Sequence, residues 1–295
     1  MAKNKDGKRR VNASGNHANA RGAFSDSERR KTIGENLSFG ASEAYKLLRT
    51  NLVFSMVDEE GCRVIGVTSA LRGEGKSTTS INLAYSLAQS GKRVLLLEAD
   101  MRIPLMASLF RMGENTPGLS QVLAGMTALK DAVYPLPHLR NVSVLPAGEI
   151  PSNPAELLAS KRMEIILEAL VSVFEYIIID LPPVNAVSDA LAISRLLSGM
   201  IVVVRQDYCD QQALAETMQR MELLEVKILG FVLNGAESSA KRNKKYGNGG
   251  YYKQGQGYAY GYGKKETKAS APTESVSAPA SAQEPEPESG TMSNV

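Results

Sequence analysis

The chain has 295 residues, 43% of them hydrophobic, which is enough for the core of one α/β domain with segments left over at the ends. Its formal net charge of +3 is too small to indicate a nucleic-acid partner, and its two cysteines lack metal-ligand spacing. No apolar run approaches the roughly 20 residues of a membrane-spanning helix, and the basic start lacks the apolar stretch of a secretory signal. We therefore expect a cytoplasmic protein that does not bind nucleic acid.

The first segment, residues 1–36, is polar, basic and poor in large apolar side chains. Such a composition cannot bury enough apolar surface to offset the entropy lost on ordering, so this segment is predicted to be disordered. The globular domain is predicted to follow at residues 37–240.

Short apolar runs alternate with longer helical patterns inside this domain. The runs are continuous rather than alternating, which is typical of strands covered on both faces, as in a parallel sheet. The sequence therefore predicts a doubly wound α/β fold with a mostly parallel sheet. The predicted strands are 64–68, 94–97, 142–145, 177–179, 201–204 and 228–233, and the predicted helices include 77–89, 155–173 and 210–225.

A phosphate-binding loop follows the first strand. Residues 73–78 read Gly-Glu-Gly-Lys-Ser-Thr between a strand and a helix, with Ala70 at the first position of the Walker A pattern instead of glycine. Glycines let successive main-chain N–H groups turn toward phosphates, and the helix N-terminus adds a favourable dipole. Lys76 is expected to face solvent and the β/γ oxygens, and the Ser77 hydroxyl is expected to bind Mg²⁺.

Carboxylates end two further strands. Asp180 follows 177–179 and precedes Leu-Pro-Pro, as in a Walker B element. Glu98 and Asp100 follow the strand 94–97, and because residues two apart on a strand share a face, both are expected to point toward the phosphate end of the sheet.

Two segments of different composition follow the domain. Residues 241–265 form a Gly/Tyr-rich tail, and residues 266–295 turn to Ser, Ala, Pro and Glu and are predicted to be disordered. The exposed rings could accept phosphate, stack on single-stranded nucleic acid or drive self-association. Beside a kinase-like site the first interpretation is favoured, with these candidate acceptors: Tyr246, Tyr251, Tyr252, Tyr258, Tyr260 and Tyr262.

Together these motifs make the chain resemble the bacterial tyrosine kinases of the CpsD/CapB type. The resemblance covers about residues 38–235 and the tail. It rests on the loop at 73–78, Glu-Ala-Asp-Met-Arg at 98–102, Asp-Leu-Pro-Pro at 180–183, the segment 145–158 and a helix at 43–51. It implies the P-loop NTPase fold of the ParA/MinD-like branch.

The resemblance also implies a mechanism and a set of partners. The implied reaction uses ATP and Mg²⁺ and phosphorylates the tail of a neighbouring subunit in trans. Implied partners are a ring of identical subunits, a membrane-bound polysaccharide co-polymerase or adaptor that activates the kinase and recruits it to the membrane, and a cognate phosphatase. The process served would be capsule or exopolysaccharide synthesis.

Residue roles follow from the same resemblance. The implied catalytic residues are Lys76, Glu98, Asp100 and Asp180; the metal ligands are Ser77, Asp100 and Asp180; the nucleotide-binding residues are Gly73, Glu74, Gly75, Lys76, Ser77, Thr78 and Arg102; and the ring contacts are Glu43, Lys46 and Arg49. Glu98 and Lys46 depart from the family, which usually has Asp and Arg at these positions.

Two alternatives stay open. One is a partitioning or positioning ATPase of the ParA/MinD type, which shares the fold but carries a lysine where this chain has Leu71. The other is a nucleotide-binding scaffold without kinase activity, in which the tail recruits partners and Glu98 blocks phosphoryl transfer.

Overall fold

A seven-stranded sheet forms the centre of the protein. The structure, a computed structural model, describes residues 32–57, 61–113, 115–137 and 139–236. The strands lie in the order β3-β4-β2-β5-β1-β6-β7, and every neighbouring pair is parallel except β3 with β4. Their bounds are β1 Arg63–Ser69, β2 Val94–Glu98, β3 Tyr134–Pro135, β4 Val142–Leu145, β5 Tyr176–Asp180, β6 Gly199–Arg205 and β7 Ile228–Asn234.

Helices lie between most of the parallel strands, as a doubly wound fold requires. They are α1 Phe39–Ser55, α2 Lys76–Gln89, α3 Met106–Leu109, α4 Leu119–Ala124, α5 Pro154–Leu158, α6 Lys161–Val171, α7 Asp189–Ala192 and α8 Gln211–Leu223. The described chain thus confirms the predicted fold class. None of its helices is long and apolar enough to cross a bilayer.

The apolar runs form strands because both faces of the sheet are covered. Every residue of β2 and β5 is buried, and two hydrophobic clusters lie on opposite sides of these strands. Leu95 and Ile177 belong to one cluster, whereas Leu96 and Ile178 belong to the other, as strand alternation requires. The central strands are therefore fixed from both sides, and so are the loops at their carboxyl ends.

The structure differs from the prediction at two local points. The helix predicted over 155–173 is two helices, because the Ser160 side chain accepts a hydrogen bond from the Met163 amide and starts α6 anew. The short antiparallel strand β3 was not predicted, since two residues are too few to leave a pattern.

The folded domain begins before the predicted boundary at residue 37. Residues 34–36 form a 3₁₀ turn, and Ile33 is buried in the core. The Asn82 side chain of α2 fastens this segment, because its Oδ1 accepts from the Gly34 amide at 2.9 Å and its Nδ2 donates to the Thr32 carbonyl at 2.9 Å. The prediction that 1–36 is disordered is therefore wrong for residues 32–36. Residues 1–31, the domain end at 237–240, and the segments 241–265 and 266–295 lie outside the described residues.

Replacing Asn82 with alanine is expected to release the segment before α1. The buried Gly34 amide would lose its acceptor and the Thr32 carbonyl would lose one donor, so the free energy of unfolding should fall by about 1–3 kcal/mol. Urea unfolding measures the loss, and limited proteolysis should show new cleavage near residues 32–36. The control Asn51→Ala, at an exposed position of α1, should leave both unchanged. Equal protease resistance in Asn82→Ala and the unmodified protein would contradict this anchoring role.

Candidate active site

Three loops meet at the carboxyl edge of the sheet. The phosphate-binding loop follows β1, the loop with Asp100 follows β2, and Asp180 ends β5. Since β5 lies between β2 and β1, Asp180 pairs in register with Glu98 on one side and Val67 on the other. The topology therefore brings the predicted motifs together.

The phosphate-binding loop has the conformation that its glycines allow. Gly73 and Gly75 have φ angles of +88° and +95°, a region that side chains other than glycine rarely adopt. The chain then enters α2 at Lys76, so the N-terminus of this helix points its free N–H groups toward the loop. These features suit a polyphosphate.

Lys76 is buried between two carboxylates. Its Nζ lies 2.7 Å from Asp100 Oδ2 and 3.8 Å from Asp180 Oδ1, and only 9% of the residue is exposed. Burial alone would lower the pKa of Lys76, but Asp180 and Asp100 more than offset this, and the pKa is raised above its usual value. The expectation that Lys76 faces solvent is therefore wrong, because the ammonium is charged and held inside the site.

Asp180 keeps one oxygen free in this arrangement. Burial raises the pKa of its carboxyl, while Lys76, Ser77 and Ser80 act to lower it. The Ser80 hydroxyl lies 3.3 Å from Oδ1, but Oδ2 is buried without a hydrogen-bond partner among the described residues. An unpaired buried carboxylate oxygen is costly, so it marks a position for a bound group.

The residues present fit a magnesium ion. Ser77, Asp100 and Asp180 supply hard oxygen ligands, and Mg²⁺ in phosphate sites takes only one or two carboxylates besides phosphate and water. The described residues contain no group of three or more His, Cys, Asp or Glu side chains that could hold a metal alone. A metal here would thus depend on the nucleotide for part of its ligands.

Arg102 forms a bidentate ion pair with Asp189, which the sequence did not predict. Its Nε and Nη2 donate to Asp189 Oδ2 and Oδ1 at 2.8 and 2.9 Å, and the Asp189 side chain is fully buried. The Nη1 group of Arg102 has no hydrogen-bond partner within the described chain, and the guanidinium side chain is 42% exposed. A single aspartate nine residues after Asp180 gives no sequence signal, so this pair could not be found from spacing.

Glu98 forms no ion pair with Lys76 in the described chain, although it was expected to point the same way as Asp100. Its Oε1 accepts hydrogen bonds from the Leu105 and Met106 amides, and its Oε2 accepts from Ala147 at 3.1 Å. Burial raises the pKa of Glu98 to about 7, against the lowering effect of these three amides. Because β2 ends at Glu98, strand alternation does not set the direction of Asp100 relative to Glu98, and the two carboxylates have different partners.

The remaining predicted nucleotide contacts divide into two kinds. The Glu74 side chain is fully buried and accepts from the amides of Leu71 and Arg205, so it supports the loop from behind. Ser77 and Thr78 are partly exposed in the first turn of α2. Glu74 can therefore contact a phosphate through its main chain but not through its side chain.

The three residues predicted to hold a ring lie on α1 in different environments. Glu43 and Lys46 form an exposed ion pair at 2.7 Å, on a helix that also exposes Phe39, Leu47 and Phe54. Arg49 instead donates to the Ser86 carbonyl of α2 in the same subunit. The candidate phosphoacceptors, Tyr246, Tyr251, Tyr252, Tyr258, Tyr260 and Tyr262, lie outside the described residues.

Comparison with known proteins gives consistent matches. The model of the AAA domain family matches residues 62–228. The chain is 37% identical over 211 residues to the tyrosine-protein kinase YwqD of Bacillus subtilis, which covers 72% of this chain and 86% of that protein. It is 35% identical over 208 residues to the tyrosine-protein kinase CpsD of Streptococcus agalactiae, covering 70% and 89%.

Solved structures agree with these relatives. The kinase domain of the Escherichia coli tyrosine kinase ETK has a TM-score of 0.67 at 32% identity, covering 79% of this chain and 84% of that chain. The cell division ATPase MinD of Pyrococcus furiosus has a TM-score of 0.50 at 27% identity, covering 58% and 71%. The predicted P-loop fold of the ParA/MinD-like branch is therefore confirmed.

Shortening Glu98 to aspartate is expected to destabilise the protein. A side chain one methylene shorter cannot reach both the start of α3 and Ala147, so one or two charged hydrogen bonds are lost. We expect the free energy of unfolding to fall by about 1–3 kcal/mol at pH 8, where the carboxyl is ionised.

Urea unfolding of Glu98→Asp checks this, with Glu222→Asp at an exposed position of α8 as the control. Unchanged stability together with faster phosphoryl transfer would instead support the catalytic role predicted for Glu98 from the sequence.

Proposed function

The chain belongs to the bacterial tyrosine kinases related to CpsD and YwqD, and we propose that it transfers the γ-phosphoryl group of MgATP to tyrosines of its own C-terminal tail. It is a protein-tyrosine kinase that uses ATP. The acceptors proposed are those in the segment 241–265, and the subunit that carries them is a neighbour in a ring.

One contact carries this proposal, namely Lys76 between Asp100 and Asp180. A buried ammonium at 2.7 Å from one carboxylate and 3.8 Å from another is fixed in position before substrate arrives. Phosphoryl transfer depends mainly on such positioning and on charge neutralisation, with little covalent chemistry left for the protein. The arrangement therefore suits this reaction.

Each residue has a distinct part in the proposed reaction. Lys76 and the loop amides bind the β- and γ-phosphate oxygens. Ser77, Asp100 and Asp180 would hold Mg²⁺, which would supply charge neutralisation for the phosphates. Arg102, already oriented by Asp189, directs its free Nη1 group toward developing charge.

The proton of the tyrosine hydroxyl needs an acceptor near the phosphate. Glu98 has both oxygens engaged by main-chain amides, so its proposed part is to hold the loop that carries Asp100 and Arg102. Asp100 is the carboxylate that borders the phosphate site and can accept or orient this proton. A strong base is not required when the transition state is loose.

Assembly and location complete the proposal. The exposed surface of α1, with Glu43 and Lys46, is proposed to contact the next subunit of the ring. A membrane-bound adaptor of polysaccharide synthesis is proposed to activate the kinase and bring it to the inner face of the membrane. A phosphatase would reset the tail, and the process regulated would be capsule or exopolysaccharide export.

The ParA/MinD alternative has less support. Those ATPases use a lysine at the position of Leu71, and here the Leu71 amide donates to Glu74 within the same loop. The leucine side chain at this position carries no charge. The proposal therefore remains with tyrosine phosphorylation.

Mixing two inactive variants tests the transfer in trans. Lys76→Met keeps the tail but lacks the phosphate-binding ammonium, whereas a variant with all six tail tyrosines changed to Phe keeps the site but lacks acceptors. With radiolabelled ATP, neither alone should incorporate phosphate, and the mixture should label the Lys76→Met tail. Phosphotyrosine mapping then identifies the acceptors.

The matched control is Lys92→Met, which removes an exposed ammonium from a surface ion pair with Glu175 and should keep full activity. Labelling of Lys76→Met alone would show that the loop assignment is wrong. An active wild type with an unlabelled mixture would show that the transfer occurs within one subunit.

Removing the exposed ion pair of α1 is expected to weaken the ring. Glu43→Ala with Lys46→Ala should lower the mass measured by light scattering without changing the free energy of unfolding, because both side chains are about half exposed. The control changes Lys161 and Glu164, an equally spaced exposed pair on α6, to alanine. The same mass for all three proteins would contradict a ring built through this surface.

A further inference from the structure

The outer side of the phosphate-binding loop has its own set of hydrogen bonds. A loop whose successive N–H groups point inward to a phosphate turns carbonyl groups outward. Arg72 and Gly73 are exposed and Glu74 is buried, and neither a helix nor a sheet supplies hydrogen-bond donors to their carbonyls. The carbonyl groups of residues 72–74 therefore take their hydrogen bonds from side chains of other elements.

Three consecutive carbonyls of the loop each accept one hydrogen bond from a side chain. The Arg72 carbonyl accepts from Tyr208 Oη at 2.9 Å, the Gly73 carbonyl from Arg205 Nη1 at 3.1 Å, and the Glu74 carbonyl from Asn234 Nδ2 at 2.8 Å. We call Arg205, Tyr208 and Asn234 the carbonyl clasp. Its members come from the ends of β6 and β7 and from the segment after β6.

Asn234 lies so close to the loop that a side chain at position 75 would clash with it, and Tyr208 lies close to Gly73. A Cβ atom at Gly75 would lie 2.0 Å from Asn234 Nδ2, and one at Gly73 would lie 3.3 Å from Tyr208 Oη. Both glycines also have positive φ angles. The glycines therefore serve the outer contacts as well as the turn toward phosphate.

Other contacts hold the clasp itself in place. The Arg205 guanidinium lies over the Tyr208 ring, 5.2 Å from its centre, and the Arg205 amide donates to Glu74 Oε1 at 3.3 Å. Asn234 Oδ1 accepts from the Gly235 amide at 2.9 Å, which fixes the direction of the amide group. Each donor thus has a second contact that orients it before the loop meets a ligand.

We propose that Arg205, Tyr208 and Asn234 are positioning residues for the phosphate site. Each donor holds one peptide plane, and a peptide plane that keeps its carbonyl outside keeps the N–H of the next residue inside. Without the donor, the plane can rotate, and the inward N–H is no longer ready for phosphate. The inference rests on the proposed use of this loop for MgATP.

Tyr208→Phe isolates the effect, since it removes one hydroxyl and keeps the ring. Calorimetry on the full chain should show about three- to tenfold weaker binding of both magnesium tripolyphosphate and MgATP, the loss typical of one hydrogen bond. KM for ATP should rise by a similar factor, while kcat at saturating ATP should stay within about twofold. The control Tyr134→Phe removes a hydroxyl bonded to the Pro117 carbonyl, far from this loop in sequence, and should change none of these values.

Tripolyphosphate distinguishes loop positioning from contact with the base. An affinity loss for MgATP alone would overturn the proposal, because the Tyr208 ring would then be acting on the nucleoside. Unchanged affinity for both probes would overturn it as well, and so would an equal loss in Tyr134→Phe.

Arg205→Met provides a second variant that keeps the side-chain stem and should weaken both probes similarly. If Tyr208→Phe proves unstable, the affinities of Arg205→Met for magnesium tripolyphosphate and MgATP test the proposal in its place. A wild type that binds both probes but transfers no phosphate would refute the proposed reaction and leave the clasp standing.

Discussion

The buried contact of Lys76 with two carboxylates is the interaction on which the site depends. Three separate elements must meet to form it, since Lys76 starts α2, Asp100 follows β2 and Asp180 ends β5. Removing charges from water is costly, and only close pairing offsets the cost. The sheet order β2-β5-β1 supplies that pairing, so the position of the lysine is a consequence of the fold.

A main-chain network keeps these charges in register. The amides of Ala99 and Asp100 both donate to the Asp180 carbonyl, at 2.9 and 3.1 Å, which joins the loop after β2 to the end of β5. Glu98 then ties the same loop to α3 and to Ala147, and Arg102 ties it to Asp189. Contacts of three kinds, namely main-chain hydrogen bonds, carboxylate–amide hydrogen bonds and an ion pair, thus fix one short segment, which explains why it can carry reacting groups without being part of a strand.

The sequence predicted what depends on pattern and missed what depends on contact. Continuous apolar runs predicted six of the seven strands, and the glycine spacing predicted the loop. The direction of Glu98 could not be predicted, because alternation ends where the strand ends, and the buried state of Lys76 follows from two carboxylates distant in sequence. Asp189, Tyr208 and Asn234 belong to no motif, since each acts through a partner that only the fold brings near.

Charge around the site decides how a nucleotide can enter it. Among the side chains inside the site, two cations, Lys76 and Arg102, lie near four carboxylates, Glu98, Asp100, Asp180 and Asp189, so these side chains by themselves do not attract a polyphosphate. The raised pKa of Glu98, about 7, lessens this negative charge. The remaining attraction must come from main-chain N–H groups, the N-terminus of α2 and a divalent cation. The N–H groups attract a phosphate only when their peptide planes are held in the right orientation. The donors Arg205, Tyr208 and Asn234 therefore contribute to phosphate binding together with the charged side chains of the site.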